Sequence, residues 1–202
     1  TSILMNLLLI RFGGESAVSI YGILMYAEGF IHPLLYGMCD SLQPAVGYNW
    51  GAKSYSRVKA IERCCFTASG ILSVLSALVI FFYPAPIASL FIKDAGGGFL
   101  EAAVAALRLF SITYLTRWFS FATQSYMLAI EKPAPASIIS VSTALVFPVL
   151  LVGVLWPLKL TGIWLNFAAT SLLAGVLSLA VLLRFRRELR EKLALQQPAD
   201  AG

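Results

Sequence analysis

Five polar side chains recur along one apolar stretch of the sequence: Glu28, His32, Tyr36, Asp40 and Gln43. At 100° per residue they fall within about 120° of one another on a helix, so they form one polar face. Ionisable groups cost several kcal/mol inside a bilayer and are expected to face a protein interior or a watery cavity. Glu28 lies deepest, about twelve residues from either end of the stretch, where desolvation is expected to bring a carboxyl towards the range in which it can exchange a proton, as a coupling site needs. A pair between Glu28 and His32, one helical turn apart, is the structural alternative. Pro33 frees a backbone carbonyl halfway along this stripe and is expected to kink the helix, giving the cavity a hinge or a cation ligand. A second stripe holds Thr113, Tyr114, Arg117, Ser120 and Gln124, all within about 60° of Arg117. Arg117 falls mid-span and cannot reach water easily, so it requires a partner, and Glu28 is the expected one. Asn166 and Thr170, at i and i+4, read as a polar link between helices.

No other chemistry is visible. The sequence has no GxSxG, HExxH or P-loop pattern, and one histidine cannot build a multi-histidine metal site. We therefore expect no catalytic residues, no bound metal and no cofactor. Cys39, Cys64 and Cys65 form no CxxC and read as small apolar fillers.

The elements that must position the two stripes are membrane helices. Of 202 residues, 59% are hydrophobic and 12% charged, where a soluble domain carries about 25% charge. Crossing a hydrocarbon layer of about 30 Å takes about 20 apolar residues. Five stretches qualify, at 16–40, 64–83, 102–130, 136–157 and 162–184, and residues 1–12 read as the outer end of a severed helix. The predicted fold is an all-α polytopic bundle with the membrane region at 1–184 and a basic tail at 185–202. Turn chemistry separates the spans at Gly13–Gly14, 43–59, Pro84–Pro86 with Gly96–Gly98, Lys132–Pro135 and Trp156–Lys159.

Lys53, Arg57, Lys59, Arg63, Lys132, Arg184, Arg186, Arg187, Arg190 and Lys192, ten of the fifteen bases, fall on one side of these spans. By the positive-inside rule that side, with the C-terminus, is expected in the cytoplasm. The net charge of +5 therefore reads as topology rather than as a nucleic-acid surface.

The segment "GMCDSLQPAVGYNWGAKSYSRVK", residues 37–59, resembles the end of the eighth helix and the start of the ninth in multidrug and toxin extrusion (MATE) transporters. Gln43, Pro44, Gly47, Tyr48, Asn49, Gly51, Ala52, Tyr55 and Arg57 carry the likeness, supported by "LFIKD" (90–94), "TQSYMLAIEKP" (123–133) and "GIWLNFAAT" (162–170). Pro44 and Gly47 are expected to end the membrane helix, Asn49 and Gly51 to allow a tight reversal, and Tyr48 and Trp50 to sit at headgroup level. The resemblance implies the C-terminal six-helix lobe of a twelve-helix transporter in the cytoplasmic membrane, partnered by an N-terminal lobe. Such a protein would export drugs or amphipathic cations in exchange for Na⁺ or H⁺. Where several members carry an acid in the tenth helix, this chain offers Arg117 and Gln124. The alternatives are a lipid-linked saccharide flippase of the same superfamily, a membrane-embedded enzyme, or a scaffold subunit.

Overall fold

The computed structural model describes residues 2–91 and 97–196, and these are almost entirely helical. The helices are α1 (Ser2–Asp40), α2 (Leu42–Gly51), α3 (Tyr55–Phe82), α4 (Pro84–Ser89), α5 (Gly97–Ser111), α6 (Thr113–Ala129), α7 (Pro133–Val141), α8 (Phe147–Val154) and α9 (Lys159–Gln196). Among the described residues, five segments are long and apolar enough to cross a membrane: Met5–Gly51, Tyr55–Phe82, Gly98–Ala129, Pro133–Val154 and Trp156–Arg187. Residues 92–96, which hold part of the LFIKD stretch and the first of the glycines at 96–98, lie outside the described residues, and Gly97 and Gly98 open α5.

The outer surface explains why this must be a membrane protein. Ile71, Leu75 and Phe82 on α3 are more than half exposed, as are Leu172, Val176 and Leu183 on α9. An apolar belt of that extent is stable only against hydrocarbon.

Within α1 the backbone departs from helical geometry at Gly14, with φ 66° and ψ −160°, a region open to glycine alone. In a straight rod Met5 and Met25 would stand about 30 Å apart. They line one cavity of about 200 Å³, so the chain folds back at Gly14. Pro33, the expected hinge, keeps helical φ and ψ; the departure within α1 is at Gly14 instead.

The segment expected to be a loop is largely α2, separated from α1 by Ser41. Pro44 is third in α2, where a missing N–H costs nothing, so it does not end the helix. Gly47 and Asn49 are likewise helical rather than at the reversal. A Cβ at Gly47 would lie 3.4 Å from the Ala129 carbonyl oxygen, an ordinary contact, so α2 runs there against the end of α6. The reversal comes after Gly51, at Ala52–Ser54, with Lys53 at φ 56°.

At the centre stands α6, packed on α9, α3, α1, α2 and α7. Its interfaces use small polar side chains, as helix contacts in lipid commonly do. Ser73 donates to the Tyr114 carbonyl at 2.5 Å and Ser171 to the Thr113 carbonyl at 2.7 Å. Both bonds fall just after Ile112, where the expected single span divides into α5 and α6.

The basic residues gather at one end of the bundle. There Arg186 pairs with Glu62, and the Lys132 ammonium lies 5.0 Å from the Phe185 ring. At the other end Arg11 lies 5.7 Å from the Trp156 ring, beside Phe12.

Candidate functional site

The two polar stripes of α1 and α6 meet in the membrane core. Arg117 Nη2 stands 2.8 Å from Glu28 Oε1, and His32 Nδ1 is 3.1 Å from the same oxygen. The Tyr114 hydroxyl donates to Glu28 Oε2 at 2.5 Å. One carboxylate thus gathers three partners from two helices. The guanidinium also lies 5.4 Å from the Phe121 ring. Both charged side chains are largely withdrawn, with Glu28 13% and Arg117 22% exposed. Pairing is what such placement demands, because an isolated charge at this depth costs several kcal/mol.

The expected Arg117 to Glu28 bridge and the alternative Glu28 to His32 pair therefore coexist. Tyr114 is completely buried. Replacing it with phenylalanine removes a hydrogen bond to a charged group while keeping the ring. We expect a loss of about 2 kcal/mol, read as a lower thermal unfolding midpoint in detergent.

At the end of α1 a separate cluster forms around Asp40, and Gln43, expected on the same helix, belongs instead to α2 beyond the break at Ser41. Asp40 Oδ1 accepts from Gln43 Nε2 at 2.7 Å and from Ser125 Oγ at 2.5 Å. Twelve residues of helix put it about 18 Å from Glu28. Tyr36 lies between them, stacked on His32 at 5.8 Å and edge-on to Phe121 at 5.5 Å. Gln124 joins neither cluster: it turns back to Ser120 on its own helix, at 3.3 Å. Tyr48 points outward with 78% exposure, and Asn49 bonds the Ala45 carbonyl of its own helix at 2.8 Å.

Beside the Glu28 cluster opens the cavity of about 200 Å³, walled by Met25, Glu28, Thr113, Arg117, Thr143 and Asn166 among others. Its far wall is shaped by Pro148. Lacking an N–H, proline cannot close the usual bond to residue 144, and the preceding turn, Ser142–Val146, widens into a π-helix. Asn166 Nδ2 donates to the Pro148 carbonyl at 3.0 Å, and Thr170 Oγ1 donates to Asn166 Oδ1 at 3.2 Å, so this pair ties α9 to α8. Thr113 lines the cavity with a buried hydroxyl that has no hydrogen-bond partner among the described residues.

Sequence reasoning placed Thr113 on the stripe but missed Met5, Thr143 and Pro148 as lining residues. The Gly13–Gly14 pair carried the signal for Met5, since a fold-back there returns residues 2–12 alongside Met25. The Asp40 partner Ser125 was also missed; it sits on α6 one position beyond the stripe residue Gln124.

A family model described as MatE matches residues 1–152. The chain belongs to the MatE family. The Multidrug export protein MepA of Staphylococcus aureus (strain N315) is 26% identical over 167 residues, covering 78% of this chain and 36% of MepA. The fold matches a solved outward-facing multidrug resistance MATE family transporter of the MOP superfamily. That match has a TM-score of 0.84 at 16% identity and covers 95% of this chain and 43% of the other. An inward-facing conformation of such a transporter matches with a TM-score of 0.77 at 17% identity over 93% of this chain and 43% of that one. A MOP superfamily transporter from Pyrococcus furiosus, described as having a binding pocket of reverse polarity, matches with a TM-score of 0.80 at 16% identity, covering 88% and 40%. The MatE chain thus spans well under half the length of these relatives.

Proposed function

We propose that this chain acts as the C-terminal lobe of a MATE-type exporter, moving amphipathic or cationic small molecules out of the cell in exchange for Na⁺ or H⁺. An N-terminal six-helix lobe would supply the other wall of the transport path. The carrying observation is the Glu28 carboxylate, held by Arg117, Tyr114 and His32 beside a cavity at membrane depth.

In this reading the Arg117 guanidinium occupies the place that a coupling cation takes at another stage of the cycle. Either a proton or Na⁺ replaces its positive charge at Glu28. Release of Arg117 towards Phe121 and the cavity then changes the fit of α1 against α6, which is the kind of two-state rearrangement alternating access needs. The clustering of bases at the Arg186 end supports a cytoplasmic C-terminus in the inner membrane.

Saccharide-diphosphate flipping calls for several uncompensated cations around the cavity. Arg117 is the cation lining it among the described residues, and Glu28 neutralises it, which favours drug export. The test is efflux of a fluorescent organic cation from vesicles holding the full-length transporter, driven by an imposed Na⁺ or proton gradient. Glu28→Gln is expected to abolish the response to the gradient while leaving the protein inserted. Unchanged gradient-driven efflux would remove Glu28 from the coupling step.

A further inference from the structure

A second cavity, of about 280 Å³, lies at the basic end between α3 and α9, over the end of α6. Lys59, Arg63 and Arg186 line it together with one acid, Glu62. Glu62 is 5% exposed and is already taken by Arg186. Lys59 and Arg63, one turn apart on α3, are exposed and make no hydrogen bond or ion pair among the described residues. Two positive charges therefore face this pocket uncompensated. The walls are aromatic: Trp50 meets Tyr55 at 5.3 Å and Phe185 at 6.1 Å, and Phe185 meets Tyr126 at 6.2 Å.

We infer that this pocket binds the phosphate of an anionic phospholipid headgroup, with Lys59 and Arg63 as its cationic contacts. The aromatic walls suit the headgroup layer, where amphipathic rings concentrate. From the pocket towards the bilayer, α9 exposes Leu183, Leu179 and Val176 in successive turns, a track along which acyl chains can lie. A free anion would need the charges but not that flank. Arg186 keeps the buried acid neutralised, so the incoming phosphate meets attraction from two bases rather than repulsion from Glu62. The leaflet occupied rests on the orientation proposed above, whereas binding itself does not depend on transport.

The experiment is thermal unfolding of the full-length transporter in detergent with added phosphatidylglycerol, phosphatidylcholine or inorganic phosphate. Lys59→Gln with Arg63→Gln removes the two uncompensated pocket charges and leaves the Arg186–Glu62 pair; Lys53→Gln with Arg57→Gln removes two charges from the same loop region outside it. Phosphatidylglycerol is expected to raise the midpoint of the wild type and of the outer variant by several degrees over phosphatidylcholine. For the pocket variant its apparent affinity should fall at least about tenfold. The comparison is made within each variant, so a lowered baseline does not obscure it. Equal responses from the two double variants would overturn the site, as would inorganic phosphate matching the lipid, which would show a free-ion site instead.

Discussion

Arg117→Leu in the full-length transporter is expected to lower stability by about 3 kcal/mol, and adding Glu28→Gln to the same molecule is expected to return most of that loss. Removing the guanidinium leaves a carboxylate 13% exposed, with only His32 and the Tyr114 hydroxyl beside it. The lower end of the range for broken buried pairs applies, because Arg117 is itself 22% exposed and some water reaches it. Leucine keeps much of the packing on Phe121. With glutamine at position 28 neither member is charged, and the Tyr114 hydroxyl still has an oxygen to donate to. The double-mutant cycle, read by thermal unfolding in detergent, isolates the pair. Function should not follow stability. The double variant is expected to be well folded but deaf to the imposed ion gradient, because no titratable carboxylate is left to exchange partners. A double variant as unstable as Arg117→Leu alone would show that the two side chains act independently.

The Glu28 to Arg117 bridge was legible before any coordinates because charges in a bilayer have few options. Each had to face inward, each needed an opposite partner, and both sat at mid-span. The same logic placed Tyr114 on the face that reaches Glu28. Local propensity was a poorer guide where packing outweighed it. Glycine and asparagine at Gly47 and Asn49 suggest a turn, yet helix α2 continues through both, packed against α3 and α6. The reversal was left to Lys53, whose left-handed φ no residue-type rule would assign to lysine. Pairings across long separations were also out of reach. Glu62 and Arg186 are 124 positions apart; Arg186 was read only among the bases that set orientation, and nothing local marked Glu62 as its partner. Of the stripe, Glu28, His32, Tyr36 and Asp40 share α1 while Gln43 falls on α2, and the two clusters were not foreseen, since helical periodicity gives direction and says nothing of where Ser125 on a neighbouring helix will intercept Asp40.

Gly162→Ala is expected to be the most disruptive single methyl group in the α8–α9 hairpin, at about 3 kcal/mol, while Gly153→Ala in the same hairpin is expected to be neutral or slightly stabilising. A Cβ at position 162 would overlap the Leu155 carbonyl oxygen and lie 3.2 Å from the Cβ atoms of Leu155 and Leu158. None of these is the free end of a flexible side chain, so backbone has to move. A Cβ at Gly153 meets nothing within 4 Å. The turn between the helices is already constrained, with Lys159 at φ 48°. Its displacement carries to the site, because Asn166 lies one helical turn beyond Gly162 and holds the Pro148 carbonyl in the cavity wall. The unfolding midpoint and gradient-driven efflux should therefore fall together in Gly162→Ala, with neither falling in Gly153→Ala. Asn166→Ala separates the two effects: it frees the Pro148 carbonyl without forcing the hairpin apart, and should cost only about 1–2 kcal/mol. If Gly162→Ala behaved like Gly153→Ala, the close approach of α9 to the turn at Leu155–Leu158, and with it this wall of the cavity, would have to be redrawn.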